Sequence, residues 1–205
     1  MSDGHFIVRL NRVDLLTLSG VLTASLAVTC ALAAKPYLAT ALLFIAMLGD
    51  ALDGIWARRR GITRSFGRYL DGFLDTLIYL VAPAIVFYTQ GLGGFAAIVL
   101  VLMIAAGCIR LAVFNDIGNI EDGGQLAYLG MPVFWSVFLL AGWLLLAHVV
   151  TPDIERAVAV IVLPAFSIAM LWRRPFFKFR ALWQILALTL GGAALFLVLH
   201  LSVVA

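Results

Sequence analysis

Long apolar blocks separated by short polar segments run through nearly the whole chain. A membrane-spanning helix needs about 20 apolar residues. The sequence contains seven candidate spans, at about residues 14–34, 37–58, 66–90, 93–114, 128–149, 154–172 and 181–203. Residues 1–13 mix apolar and basic side chains, which predicts a short interfacial helix lying on the membrane. We therefore expect one all-α polytopic domain over residues 1–205, with its transmembrane bundle at 14–203.

The composition supports a membrane protein with little mass outside the bilayer. Of the 205 residues, 64% are hydrophobic and 12% are charged, and the mean hydropathy is +1.09. Soluble domains carry about a quarter charged residues, so an ordinary soluble enzyme, a disordered chain and a disulfide-stapled secreted module are all excluded. The net charge of +3 indicates orientation in the membrane and not nucleic-acid binding.

The basic residues predict the orientation. With the N-terminus in the cytoplasm, only Lys35 and Arg156 fall on the opposite side of the membrane. The other twelve fall on or near the cytoplasmic side: Arg9, Arg12, Arg58, Arg59, Arg60, Arg64, Arg68, Arg110, Arg173, Arg174, Lys178 and Arg180. This distribution follows the positive-inside rule and predicts a multi-pass protein of the cell membrane.

Four carboxylates lie inside two adjoining spans. Asp50 and Asp53 are near the end of the second span, and Asp71 and Asp75 are near the start of the third. Each pair has i, i+3 or i, i+4 spacing and so lies on one helix face. The connecting turn is short and basic, so all four carboxylates are expected near one depth. Because a charge at the centre of a spanning helix costs about 2.5–3.5 kcal/mol, such a cluster requires protonation or a multivalent cation.

The neighbouring residues favour a metal-held phosphate. An all-oxygen site suits Mg²⁺ or Mn²⁺, with Ca²⁺ as a further occupant, better than zinc. Gly54, Ala57 and Gly67 keep side chains away from the carboxylate faces, and Arg58 offers a planar cation to a phosphate. Two ions at such a site would stabilise the attacking and leaving oxygens of a displacement at phosphorus.

The same residues resemble a known family. The run from Asp50 to Asp75 matches, at every defined position, the pattern D-x2-D-G-x2-A-R-x8-G-x3-D-x3-D of the CDP-alcohol phosphotransferases. The resemblance implies a core of six spanning helices, usually in a homodimer, and transfer from a CDP-linked donor to an alcohol with release of CMP. It implies metal ligation by the four aspartates, with Asp75 also as general base. It further implies that Asp53, Gly54, Ala57, Arg58 and Gly67 bind the CDP moiety.

Three further runs resemble bacterial and archaeal phosphatidylserine synthases within this family. They are Arg110-Leu-Ala-Val-Phe-Asn115, Tyr128-Leu-Gly-Met-Pro132 and the stretch from Met170 to Lys178. The resemblance implies CDP-diacylglycerol, or another CDP-linked lipid, as donor and L-serine as acceptor. Arg110 is a candidate for binding the serine carboxylate, and Asn115 a candidate for orienting the acceptor.

The chain also departs from the synthase pattern. Those enzymes read D-S-L-x-D-x-x-x-F-G from the third acid onward, whereas this chain has Gly72, Phe73, Tyr79 and Leu80 at the positions of the serine, leucine, phenylalanine and glycine. Inositol phosphate, glycerol 3-phosphate and choline therefore stay open as acceptors. A transporter or a non-catalytic scaffold is the alternative class, but a transporter predicts acids scattered over several spans and depths.

Overall fold

The computed structural model describes residues 7, 8, 10–59, 64–179 and 181–204, without the side chains of residues 57–59 and 204. The helices are α1 (Arg12–Leu32), α2 (Pro36–Arg59), α3 (Ser65–Asp75), α4 (Ala82–Thr89), α5 (Ile98–Ile117), α6 (Trp135–Leu146), α7 (Pro152–Leu171) and α8 (Leu182–Val204). A π-helical segment, Thr76–Val81, joins α3 to α4, and a 3₁₀ turn, Gly94–Ala97, precedes α5.

Three short strands lie at the end of the bundle where α2 ends and α3 begins, which we call the site end. They are β1 (Ile120–Asp122), β2 (Gln125–Leu129) and β3 (Pro175–Phe176), and both pairings are antiparallel in the order β1-β2-β3. The turn between β1 and β2 consists of Gly123 and Gly124, with φ of +56° and +75°. Two positive φ values in a two-residue loop are typical of a tight hairpin.

The helices define an all-α, multi-pass integral membrane protein, as the hydropathy predicts. Within the described part of the chain, six helical segments are long and apolar enough to cross a membrane. They are α1, α2, the continuous run from α3 to α4, α5 with its preceding turn, α7 and α8. The remaining helix, α6, is apolar but has 12 residues, about 18 Å of length, so it is shorter than the bilayer core.

The predicted fifth span was wrong in its bounds. Residues 128–149 were expected to be helical, but Tyr128 and Leu129 lie in β2 and the helix begins at Trp135. The physical reason is local: Gly130 has a φ of +74°, and Pro132 lacks the amide that would continue a helix. Hydropathy alone does not distinguish a short apolar strand from the first turns of an apolar helix, so the sequence did not reveal this strand.

The predicted interfacial helix over residues 1–13 falls mostly outside the described residues, which exclude 1–6 and 9. The described residues 7, 8, 10 and 11 are not helical, because α1 begins at Arg12 behind an extended Asn11. The Asn11 side chain accepts a hydrogen bond from the Asp14 amide at 2.9 Å, and the Asp14 carboxylate accepts one from the Asn11 amide at 2.8 Å. This reciprocal capping satisfies amides that a helix N-terminus leaves open.

Asp14 also connects α1 to the turn that precedes α3. Its carboxylate is 3% exposed and forms an ion pair with Arg64, which directly precedes α3. Elsewhere α1 packs along α2, α8 packs along the other side of α2, and α5 packs against α7. At Gly192 of α8, an added Cβ would lie 2.7 Å from the Phe44 ring of α2, so glycine permits this close approach.

Gly130 generates the first prediction. Besides its positive φ, a Cβ at this position would collide with the main-chain carbonyl of Met170, and its amide donates to the Arg174 carbonyl at 2.9 Å. Gly130→Ala is expected to destabilise the protein by about 1–3 kcal/mol, measured as a lower Tm in detergent. The matched control is Gly142→Ala in α6, where no atom lies within 4 Å of the added Cβ. Equal Tm values for the two variants would contradict the prediction.

Candidate active site

Two antiparallel helices bring the predicted carboxylates together at the site end. Asp50, Asp53 and Asp71 each contribute a carboxylate oxygen to a group whose atoms all lie within 4.8 Å of one another. Asp53 is 3% exposed. Asp75 is not in this group of three, but it lines the same cavity as Asp50 and Asp71 and interacts electrostatically with both. The i, i+3 and i, i+4 spacings on α2 and α3 account for this arrangement.

Three of the four carboxylates, those of Asp50, Asp71 and Asp75, line a cavity of about 220 Å³, and Asp53 is not part of its lining. Gly54 and Ala51 of α2 lie in its wall, and their small size leaves the space beside Asp50 open. Arg110 and Phe114 of α5 line another side, and a further group of residues closes it near the strands: Asn119, Tyr128, Lys178 and Phe179. A cavity between helices that combines apolar walls with a few convergent polar groups is a typical place for a small-molecule site.

Two cations, Arg110 and Lys178, also line this cavity, and both lie close to the ring of Tyr128. The Arg110 guanidinium carbon is 5.4 Å from the centroid of the Tyr128 ring, and Lys178 Nζ is 5.0 Å from the same centroid. Arg110 also lies 4.9 Å from the Phe114 ring, and Lys178 donates to Asn119 Oδ1 at 3.2 Å. The aromatic faces stabilise positive charge at this depth.

Two N–H donor groups of Arg110 are buried without a hydrogen-bond partner among the described residues. They belong to its Nε and Nη2 atoms, and the residue is 6% exposed. Buried donors normally have partners, and leaving one unsatisfied costs about 1–3 kcal/mol. Because the side chain lines the cavity and interacts electrostatically with Asp75, these donors are available to an anionic ligand.

The other predicted site residues lie in different surroundings. Asn115 is not part of the cavity lining, and its side chain packs against Gly72 of α3. Its carbonyl accepts a hydrogen bond from Arg68 Nη1 at 3.2 Å. Gly67 lies near the start of α3, where an added Cβ would be 4.0 Å from Asp14 Oδ1. The side chains of Ala57 and Arg58 fall outside the described residues.

Tyr79 is a site residue that the sequence analysis missed. Its hydroxyl donates a hydrogen bond of 2.6 Å to Asp50 Oδ2, and its side chain lines the cavity. Lys178, Tyr128 and Asn119 were likewise not predicted as site residues. The runs Tyr128–Pro132 and Met170–Lys178 carried the signal for the first two, since both resemble synthase motifs. Nothing in the local sequence indicated Asn119.

Comparison with known proteins agrees with this geometry. The family model for CDP-alcohol phosphatidyltransferases matches residues 10–191, and the chain belongs to this family. A CDP-diacylglycerol–serine O-phosphatidyltransferase of Methanocaldococcus jannaschii is 30% identical over 102 residues, which cover 50% of this chain and 48% of the relative. An archaetidylserine synthase of Methanothermobacter thermautotrophicus is 30% identical over 124 residues, 58% of this chain and 52% of the relative.

A third similar protein is a CDP-diacylglycerol–serine O-phosphatidyltransferase of Bacillus subtilis, 30% identical over 122 residues, 58% of this chain and 67% of that protein. The chain thus spans about half the length of the first two relatives. The resemblance found in the sequence is confirmed at the level of the family.

Gly72 generates a prediction about the spacing of α3 and α5. A Cβ at Gly72 would collide with the side-chain amide of Asn115, so Gly72→Ala must push the two helices apart or displace Asn115. We expect a lower Tm in detergent for Gly72→Ala. The double variant Gly72→Ala/Asn115→Ala should recover much of the loss, because the colliding atoms are gone. Simple addition of the two single effects would contradict this coupling.

Proposed function

We propose that this protein transfers a phosphatidyl group from CDP-diacylglycerol to the hydroxyl of L-serine, giving phosphatidylserine and CMP. One observation carries the proposal: a cavity lined both by clustered carboxylates and by a buried arginine with open donors. The relatives named above support serine as acceptor. The presence of an archaetidylserine synthase among them favours a test of ether-linked CDP donors as well.

The carboxylate group fits a divalent cation. Three carboxylate oxygens within 4.8 Å of one another repel strongly in a low-dielectric setting. Oxygen ligands of this kind suit Mg²⁺ or Mn²⁺, and we propose that Asp50, Asp53, Asp71 and Asp75 hold one or two such ions, with Ca²⁺ as a non-catalytic occupant. When bound, the ions supply positive charge that stabilises the phosphate oxygens of the donor and of the departing CMP.

The residues between the acids are proposed to bind the CDP moiety. Gly54 lies in the cavity wall next to Asp50 and leaves backbone accessible there. Following the family resemblance, we assign donor binding to Asp53, Gly54, Ala57, Arg58 and Gly67. Arg58 offers a planar guanidinium to the diphosphate, for which its fork of donors is suited.

Asp75 is proposed as the general base. It lines the cavity and interacts electrostatically with the carboxylate group and with Arg110. It takes the proton of the acceptor hydroxyl while the oxygen attacks the phosphorus attached to diacylglycerol. A new oxygen–phosphorus bond forms, and the bond from that phosphorus to the CMP oxygen breaks, so that CMP leaves. General-base assistance of this kind contributes about 10²–10⁴-fold.

Arg110 is proposed to bind the acceptor's anionic group. Its buried Nε and Nη2 donors can pair with the carboxylate of serine, while Lys178 adds positive charge to the same wall of the cavity. Inositol phosphate and glycerol 3-phosphate present a phosphate to the same cations and are alternative acceptors. Choline has no anion for Arg110 and fits this wall less well. Asn115 does not line the cavity, so we propose that it helps to orient the acceptor indirectly, by packing α5, which carries Arg110, against Gly72 of α3.

The proposed location is the cell membrane, with the active site facing the cytoplasm and the chain acting as a homodimer. Described basic residues at the site end include Arg64, Arg68, Arg173, Arg174 and Lys178, whereas Lys35 and Arg156 lie at the other end. The positive-inside rule places the basic end in the cytoplasm. Water-soluble serine and CMP are then exchanged on that side, while the lipid substrate and product stay in the membrane.

Metal dependence and Asp75 give the third prediction. Release of CMP from CDP-diacylglycerol with serine and Mn²⁺ should be abolished by EDTA and restored by excess Mn²⁺. Asp75→Asn should lower the rate by about 10²–10⁴-fold, because the acceptor proton loses its base. Asp153→Asn, an exposed acid at the start of α7, is the control and should keep the wild-type rate. Activity that survives both EDTA and Asp75→Asn would refute the mechanism.

Arg110 gives the fourth prediction. Loss of a charged hydrogen-bonding partner costs about 1.5–3 kcal/mol, so Arg110→Gln should raise the KM for serine about 10- to 100-fold. The KM for CDP-diacylglycerol should change little. Arg156→Gln, which removes a cation that donates to the Gly91 carbonyl far from the site, is the matched control.

A separate assay identifies the acceptor by measuring CMP release with serine, inositol phosphate, glycerol 3-phosphate and choline, each supplied alone. Release of CMP with an acceptor other than serine would overturn the serine assignment.

A further inference from the structure

The third spanning run is irregular directly after Asp75. The α-helical pattern stops there, and the segment Thr76–Val81 continues as a π-helix before α4 begins. The amide of Ala82 donates to the carbonyl of Leu77, five residues back. Proline has no amide hydrogen, so Pro83 cannot donate to the carbonyl of Tyr79 four residues back. The Tyr79 carbonyl therefore lacks the amide donor that residue 83 would supply in a regular α-helix.

A serine from another helix bonds that carbonyl. Ser136 Oγ, at the start of α6, donates a hydrogen bond to the Tyr79 carbonyl, and Ser136 is 0% exposed. A buried carbonyl without a partner is costly, so this bond satisfies the acceptor that Pro83 leaves open. It also fixes the Tyr79 main chain relative to α6.

The side chain of Tyr79 extends from this fixed main chain to the carboxylate group. Its hydroxyl donates to Asp50 Oδ2 at 2.6 Å, and the residue is 2% exposed. Asp50 is one of the three acids whose oxygens lie within 4.8 Å of one another. Hydrogen bonds from neighbouring groups orient metal-binding side chains and are worth about 10- to 100-fold in metal affinity or activity. The phenol oxygen also distinguishes Tyr79 from the phenylalanine of the synthase pattern.

We infer that Tyr79 is a positioning residue, which holds the Asp50 carboxylate in the orientation that binds a divalent cation, and that Ser136 holds Tyr79 in place. The inference rests on the proposed metal-binding role of the carboxylate group. The direct contact of Tyr79 with the carboxylate group is the hydrogen bond from its hydroxyl to Asp50, so the inferred role runs through that bond. Its loss therefore changes how tightly the cation is bound, and leaves acceptor binding as it was.

The test is the Mn²⁺ affinity of the purified full chain in detergent, measured by the EPR signal of free Mn²⁺ without substrates. Tyr79→Phe, which removes one oxygen atom, should weaken Mn²⁺ binding about 10-fold. The matched control is Tyr37→Phe, which removes a phenol contact of 3.2 Å to His148 at the opposite end of the bundle and should bind Mn²⁺ as the wild type does. In turnover assays, Tyr79→Phe should need more Mn²⁺ for half-maximal rate, with the KM for serine unchanged.

Ser136→Ala gives a second variant. It should weaken Mn²⁺ binding less than Tyr79→Phe does, and adding it to Tyr79→Phe should have little further effect, because the phenol through which it acts is gone. Fully additive effects would overturn the role of Ser136. The Tm of each variant without metal separates a general loss of folding from a change at the site.

The outcomes distinguish this inference from the proposed function. If the wild type binds Mn²⁺ and Tyr79→Phe binds it equally tightly, the positioning role is wrong and the proposed function stands. If the wild type binds no Mn²⁺ while Asp75→Asn still abolishes CMP release, the metal role of the carboxylates fails and this inference fails with it. Weaker binding by Tyr79→Phe and unchanged binding by Tyr37→Phe would support the inference.

Discussion

The structure depends on keeping several carboxylates together at one end of an otherwise apolar bundle. Each buried charge costs about 2.5–3.5 kcal/mol on insertion scales, and mutual repulsion adds to that cost. The chain offsets this with groups that face the acids: the Tyr79 hydroxyl on Asp50 and the Arg110 guanidinium near Asp75. Arg110 is in turn stabilised by two aromatic rings. The result is a polar site within a membrane protein, which a cation and an anionic substrate would complete.

The parts of the bundle that hold this site are irregular, and the irregularities have local causes. In the π-helical segment Thr76–Val81, the Tyr79 carbonyl receives no hydrogen bond from Pro83, which lacks an amide hydrogen. It accepts a hydrogen bond from Ser136 of α6 instead. Gly130 and the strands replace the first turns of the predicted fifth span and bring Tyr128 over the cavity. Asp14 ties the start of α1 to Arg64 beside α3. Each feature fixes the position of α3 or of the cavity wall relative to α2, where the first two acids lie.

The sequence predicted the spans and the acids because both depend on local spacing. Apolar blocks of about 20 residues locate spanning helices, and the i, i+3 and i, i+4 spacings of the four aspartates place each pair on one face of its helix. The strand at Tyr128–Leu129 was missed because an apolar strand and an apolar helix have the same hydropathy. The roles of Tyr79 and Lys178 depend on contacts with Asp50 and Tyr128 across the fold, which no local pattern encodes. Asn115 belongs to a run that resembles the synthases, yet its side chain packs against Gly72.

Two of the departures from the synthase pattern, Gly72 and Tyr79, have structural explanations that leave the acids unchanged. Gly72 lacks the side chain that would collide with Asn115, so α3 and α5 approach closely at this point. Tyr79 adds a hydroxyl that reaches Asp50. Both residues lie beside the acids on α3 or directly after it, and neither removes a carboxylate or adds a competing charge. These departures thus leave in place the acids and their spacing, on which the family resemblance rests. We therefore expect differences in acceptor preference within the family to depend on the other residues that line the cavity, Arg110, Tyr128 and Lys178.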